Sequence, residues 1–208
     1  MQALQTALEV LRTRASGILG RELTETELHM FSKYLQLLRK WQKVQRLIGS
    51  AEPGWIVDRL FLDSLMFLQI LPPEIESICD VGSGAGLPGI PIKIVKPDLH
   101  VTLIESRQRR VSFLSEAIRG LGLGNAAVLA IRVEDAPPSI RRSFEAAVLR
   151  CAGSVDEMVP VVSGLVAPGG LIVCSGPPER RPLSWGGEWR EAHDPVGRKE
   201  RLFAVFRV

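Results

Sequence analysis

Two hydrophobic rhythms divide the chain. Up to about residue 71 the apolar positions recur at helical spacing. Ala3, Leu4, Ala7, Leu8, Leu11 and Ala15 share one helix face, and Leu28, Phe31, Leu35, Leu38 and Trp41 share another. Thr24 and Glu27, three apart ahead of that second stripe, have the spacing of a capping box. A third helix is expected over 55–70, ended by Pro72-Pro73. Stripes of this kind build cores more often than partner grooves, and they read as packing faces.

After Pro73 short apolar runs at 77–79, 101–104, 126–129, 146–149 and 171–174 alternate with helical stretches at 88–95, 109–120 and 154–164. The last stretch opens on Ser154 and Glu157, a second capping-box spacing. Gly169-Gly170 should break the chain ahead of the fifth strand. The run at 202–208 has strand composition, so a closing antiparallel pair near Trp189 and Phe203 is expected. Strands alternating with helices predict an α/β fold. Its doubly wound, mostly parallel sheet should occupy 73–208, behind an N-terminal helical segment over 1–72 that offers a possible RNA contact.

Composition narrows the class without naming it. The 208 residues are 46% hydrophobic and 24% charged, the proportions of a globular chain with a real core. No apolar run approaches the roughly 20 residues of a membrane span, and the first residues lack the basic start and apolar stretch of a signal peptide. A cytoplasmic protein with no membrane partner is expected. Cys79, Cys151 and Cys174 form no CxxC pair, and the three histidines share no ligand spacing, so neither disulfides nor a metal centre are expected. The net charge of +3 permits nucleic acid as a partner without demanding it.

Chemistry concentrates in one turn. Asp80-Val81-Gly82-Ser83-Gly84-Ala85-Gly86-Leu87-Pro88-Gly89 follows the first strand and enters a helix. Alternating glycines let the backbone turn tightly and approach a ligand. Gly84, Gly86 and Gly89 satisfy the dinucleotide pattern G-x-G-x-x-G, with Glu105 where an acidic residue would take a ribose. The overlapping frame Asp80-x-Gly82-x-Gly84-x-Gly86 resembles the first motif of S-adenosylmethionine-dependent methyltransferases. That frame fits the anatomy better, because only about 60 residues follow the fourth strand, too few for the further substrate domain of a dehydrogenase.

A longer string is more specific. Asp80 to Pro91, then Leu103-Ile104-Glu105-Ser106, Arg109 to Leu114, Arg132-Val133-Glu134-Asp135 and Leu149-Arg150 together resemble the bacterial small-subunit ribosomal RNA guanine-N7 methyltransferases, the glucose-inhibited-division-B family. Asp63-Ser64-Leu65 is similar to that family's Asp-Ser motif. The resemblance implies a Rossmann-like methyltransferase fold with S-adenosylmethionine as cofactor. Its site would comprise Asp80, Gly82, Gly84, Gly86, Leu87, Glu105, Val133, Glu134 and Arg150. Asp80 would help hold the methionine portion, Glu105 the ribose, and Val133 and Glu134 would border the adenine, with Arg150 beside the cofactor. The substrate implied is 16S ribosomal RNA or the small-subunit particle, methylated at guanine position 527 in the 530 loop by a monomer.

The chain also departs from that family. Arg46-Leu47-Ile48 stands for an Asn-Leu-Thr stretch, Leu60 near a histidine position, Cys151 for an alanine and Cys174-Ser175-Gly176 for a lysine-glycine pair. These departures motivate the alternative, a diverged cofactor-binding paralogue that acts on another RNA or only binds a partner. Guanine N7 carries a free lone pair at neutral pH, so placement replaces acid–base chemistry, and no catalytic residue is expected beyond Arg150 as a candidate. Pyrimidine C5 methylation would need a cysteine such as Cys151 beside Arg150. Lys33, Arg39, Lys40, Lys43 and Arg46, with Trp41 and Trp55 nearby, offer an RNA face; the competing reading is a solvated helix with its tryptophans in the core.

Overall fold

The protein is described from a computed structural model that covers residues 2–150, 154–177 and 179–208. Two long helices open the chain, α1 (Gln2–Leu19) and α2 (Glu25–Gln42). The Thr24/Glu27 capping box forms as the spacing predicts: the Thr24 hydroxyl accepts from the Glu27 N–H, and the Glu27 carboxylate accepts from the Thr24 N–H at 2.7 Å. The predicted third helix differs in kind. It begins as α3 (Pro53–Ile56), widens to a π turn over Val57–Leu62, resumes as α4 (Asp63–Leu65) and tightens to a 3-10 turn over Met66–Gln69. Its residues are apolar on most sides, so burial rather than one amphipathic stripe governs it. The Ser64 hydroxyl also enters the ladder, donating to the Leu60 carbonyl at 2.6 Å.

The rest alternates: β1 (Ser77–Val81), α5 (Gly89–Val95), β2 (His100–Ile104), α6 (Gln108–Leu121), β3 (Ala126–Leu129), β4 (Phe144–Leu149), α7 (Val155–Ser163) and β5 (Val166–Ser175). Then β6 (Glu188–Asp194) and β7 (Lys199–Arg207) pair antiparallel, with Trp189 opposite Ala204 and Arg190 opposite Phe203, as the composition predicts. The sheet order is β3-β2-β1-β4-β5-β7-β6, with β1 to β5 parallel.

Two local expectations are corrected. Gly169-Gly170 lies within β5, where the register against β4 shifts between Phe144 and Ala146. Gly169 takes φ +84°, and a Cβ on Gly170 would sit 2.5 Å from the Glu145 carbonyl, so the pair makes a bulge rather than a break. Ser154 makes no side-chain cap; its carbonyl instead accepts from Glu157 and Met158. Asp156 in that first turn faces the 184–185 segment, accepting from the Ser184 N–H and the Trp185 indole, so the helix start is fastened from outside.

Strand parity distributes the core. Ile78, Val101, Leu103, Ala146 and Val148 face α1, α2 and the 53–71 segment, while Cys79, Val81, Ile104, Ala147 and Leu149 face α7. Asp80 and Arg150 keep the parity of Ile78 and Val148, so both belong to the α1–α2 side. Phe61 locks that side, its ring centroid 5.2 Å from Phe31 and 5.2 Å from Tyr34, all fully buried. Phe61→Ala should cost about 3–5 kcal/mol in urea unfolding; a loss below about 1 kcal/mol would show that this cluster does not hold the helices to the sheet.

Candidate functional site

In open parallel sheets the ligand crevice forms past the carboxyl ends of the strands, where the strand order reverses. Here the reversal falls between β1 and β4, which puts the glycine turn and Arg150 on neighbouring strands. Gly82, Gly84 and Gly86 all take positive φ, +71°, +57° and +81°. Their surroundings differ. A Cβ on Gly82 would meet nothing within 4 Å, whereas one on Gly86 would lie 2.4 Å from Ile90 Cδ1. Gly82 therefore opens the turn outward, and Gly86 seats it against α5. Leu87 is buried in the core below.

A cleft of about 190 Å³ follows, lined by Val81, Gly82, Glu105, Ile131, Val133, Glu134 and Met158 among others. It brings together Gly82, Glu105, Val133 and Glu134, four of the residues singled out in the sequence. Glu105, 5% exposed, accepts from the Gly84 N–H at 3.1 Å and the Arg107 N–H at 2.9 Å, with Arg110 at 3.5 Å. Gly84 is thus a holder of Glu105 rather than a cleft wall. Arg132 and Glu134 both border the cleft. A wider cavity of about 470 Å³ lies among the loops entering β2 and β3, away from the glycine turn.

Asp80 sits at the root of the turn, fully buried. One carboxylate oxygen accepts from the Gly89 N–H at 2.9 Å; Oδ1 has no hydrogen-bond partner among the described residues. Burial pushes its carboxyl up to about 7, against the lowering effect of the Gly89 N–H, Ser83 and Arg150 and with the help of Glu105. Arg150 lies on the other flank. It donates to the Arg59 carbonyl, stands 3.7 Å from Asp63 Oδ2, and its buried Nη1 has no hydrogen-bond partner among the described residues. Burial lowers its pKa, and Asp63 opposes that. Two buried polar atoms of opposite charge, Asp80 Oδ1 and Arg150 Nη1, thus make no hydrogen bond among the described residues; both lie on the α1–α2 side of the sheet, at the strand ends that the glycine turn joins to the cleft.

Sequence patterns did not single out Tyr34, Ile131 or Met158. Tyr34, the chain's one tyrosine, donates its hydroxyl to the Ala85 carbonyl and underpins the turn from α2; only its place on a buried stripe hinted at this. Around α2 and α3 the two tryptophans pack toward the core, as the competing reading has it. Trp41 and Trp55 are half-buried against the core, the Trp41 indole donates to Glu116 at 3.1 Å, and Lys40 lies 3.2 Å from the same carboxylate. Lys33, Arg39, Lys43 and Arg46 remain exposed. Cys79 and Cys174 are buried, and burial raises the Cys79 thiol. Cys151, the candidate nucleophile, falls outside the described residues.

Solved structures share the fold. TYW2 of P. horikoshii, solved with MeSAdo, superposes with TM-score 0.55 at 15% identity, covering 78% of this chain and 66% of that one. An S-adenosylmethionine-dependent methyltransferase from Aquifex aeolicus gives 0.53 at 16%, covering 73% and 93%. The fold is therefore that of the S-adenosylmethionine-dependent methyltransferases. The family described as rRNA small subunit methyltransferase G (GidB) matches residues 27–175. Relatives named ribosomal RNA small subunit methyltransferase G are 45% identical in Desulforamulus reducens, over 62% of this chain and 54% of that protein, and 32% identical in Alkaliphilus oremlandii, over 82% and 72%. A third, from Dichelobacter nodosus, is 40% identical over 65% of this chain and 64% of its own. The chain belongs to this family, although it spans less than two thirds of two of these relatives.

The buried carboxyl has a consequence for stability. Its folded pKa lies above the ordinary 3.8, so the unfolded chain loses this proton first. Stability from this group should therefore fall as pH rises from about 4 to 7 and level off above, by about 4 kcal/mol at most. Urea titrations should show wild type losing stability relative to Asp80→Asn across that window, and parallel profiles for the two would contradict the burial argument.

Proposed function

We propose that this chain transfers a methyl group from S-adenosylmethionine to N7 of a guanine in 16S ribosomal RNA, as a cytoplasmic monomer. The observation that carries the reading is that Asp80 Oδ1 and Arg150 Nη1, buried at neighbouring strand ends and without a hydrogen bond among the described residues, flank the turn whose Gly82 leads into the cleft of Glu105 and Val133. An amino acid carries an ammonium and a carboxylate, which fits that pair of opposite charges. A nucleoside fits the neighbouring walls: Ile131, Val133 and Met158 offer apolar surface to a base. Glu105 uses part of its roughly four acceptor positions on Gly84 and Arg107, leaving the rest for ribose hydroxyls.

In this arrangement the residues act by placement. Asp80 receives the ammonium and gives up its proton as it does so. Arg150 receives the carboxylate. Glu105 fixes the sugar, and the open Gly82 lets the backbone come close. The cofactor, when bound, supplies a methyl group already activated on a sulfonium. Guanine N7 needs no base to uncover its lone pair, so in-line placement and exclusion of water carry the rate, worth about 7–11 kcal/mol where geometry is well held. No helix of the described residues is long and apolar enough to cross a membrane. The exposed cations Lys33 and Arg39 on α2, with Lys43 and Arg46 just past its end, offer charge that could track phosphates.

The departures at Ile48, Leu60 and Cys174 keep one rival in view, a cofactor-binding paralogue. Incubation with labelled cofactor and either small-subunit particles or naked 16S RNA separates the two. Methyl label recovered as 7-methylguanosine, at position 527 in the 530 loop, is the expected result; cofactor binding without incorporation into either substrate would favour the rival. Glu105→Gln should weaken S-adenosylhomocysteine binding about tenfold by calorimetry, the cost of a charged hydrogen bond, and unchanged affinity would remove Glu105 from the site.

A further inference from the structure

Outside the cleft, three cations of the described residues converge on one buried side chain. Asp63 is 3% exposed and opens α4 directly after the π turn over Val57–Leu62. Arg201 lies 2.6 Å from its Oδ2, Lys199 2.7 Å from its Oδ1, and Arg150 3.7 Å from Oδ2. Three cations from two strands thus share one carboxylate. Asp58, on the same turn, adds a second anion, 2.8 Å from Arg14 and 3.6 Å from Lys199.

We infer that Asp63 is a positioning residue for Arg150, with the Arg59 carbonyl as its second support. Among the described residues the guanidinium is held on one side. Nη2 meets the Arg59 carbonyl and the Asp63 carboxylate, both supplied by the segment around the π turn, while Nη1 makes no hydrogen bond to them. A π turn re-aims its carbonyls relative to an α-helix and recurs at functional sites; here it presents Arg59 and Asp63 together toward the end of β4. Asp63 also neutralises Arg201, which otherwise repels Arg150. Without that carboxylate three cations stand close together in a half-buried space, and Arg150 keeps only the Arg59 carbonyl to hold its Nη2 among the described residues. Asp63 therefore fixes where Nη1 points.

The inference rests on the reading that Arg150 faces the cofactor, and a double-mutant cycle keeps the two apart. Binding of S-adenosylhomocysteine is measured by calorimetry on full-length wild type, Arg150→Ala, Asp63→Asn, the double variant and Arg201→Met, with thermal melts alongside. Arg150→Ala and Asp63→Asn should each weaken binding about tenfold, and Asp63→Asn should add no further loss in the Arg150→Ala background. Arg201→Met removes a competitor for Asp63, so its affinity should hold or rise even though its melting temperature falls. A merely structural Asp63 predicts affinity falling in step with stability in both Asp63→Asn and Arg201→Met. Additive losses in the cycle, or weakened binding in Arg201→Met, would overturn the positioning role while leaving Arg150 as a binding residue. Unchanged affinity in Arg150→Ala would remove Arg150 from the cofactor site and this inference with it. Where Asp63→Asn does not fold, the Arg201→Met arm decides alone.

Discussion

A carboxylate enclosed at the end of a buried parallel strand is costly, and much of this protein is arranged around that cost. Asp80 follows Ile78 and Cys79 into the core and accepts at one oxygen from the Gly89 N–H, leaving the other without a hydrogen bond among the described residues. Burial raises its pKa to about 7, which turns an ordinary acid into a group balanced between neutral and charged forms near neutral pH. The glycine turn exists at close quarters with it: a Cβ on Gly89 would stand 2.8 Å from Asp80 Oδ2 and 2.5 Å from Leu103 Cδ2. Glycine at that position is thus a packing requirement, separate from the open approach at Gly82.

The N-terminal helices bear on this site directly. Tyr34 of α2 reaches the carbonyl of Ala85 inside the turn, and Phe61 stacks on Tyr34. On the other side Asp58 and Asp63 meet Arg14 of α1, Arg150 at the end of β4, and Lys199 and Arg201 of β7. Elements far apart in sequence therefore share the walls around Asp80 and Arg150. Such half-buried pairs contribute little net stability once desolvation is counted, but losing one partner is expensive, which makes their geometry well defined.

Much of this was legible in the chain, because it is written in short-range pattern. Alternating apolar runs gave the parallel strands, the Thr24/Glu27 spacing gave a cap, and Trp189 with Phe203 gave the closing hairpin. The glycine turn and the carboxylates ending β1 and β2 were visible as motifs, and Gly82, Glu105, Val133 and Glu134 do line one cleft. What escaped depends on long-range partners. The π turn before Asp63, the three cations around it and the support Tyr34 gives to Ala85 join residues from 51 to 138 positions apart. Ser154 shows the converse, a local signal overridden when Asp156 is engaged by Ser184 and Trp185. Gly169-Gly170 reads as a break by composition and is a bulge by register.

The central claim is that the Asp80 carboxyl, protonated in part near neutral pH, ionises when it receives the ammonium of a methionine-derived ligand. Calorimetry of S-adenosylhomocysteine binding at pH 6.5, repeated in buffers of different ionisation enthalpy, counts the protons exchanged. Release of a substantial fraction of one proton in wild type, abolished in Asp80→Asn, is the result the account predicts. Binding with no proton released, or the same release from Asp80→Asn, would contradict it.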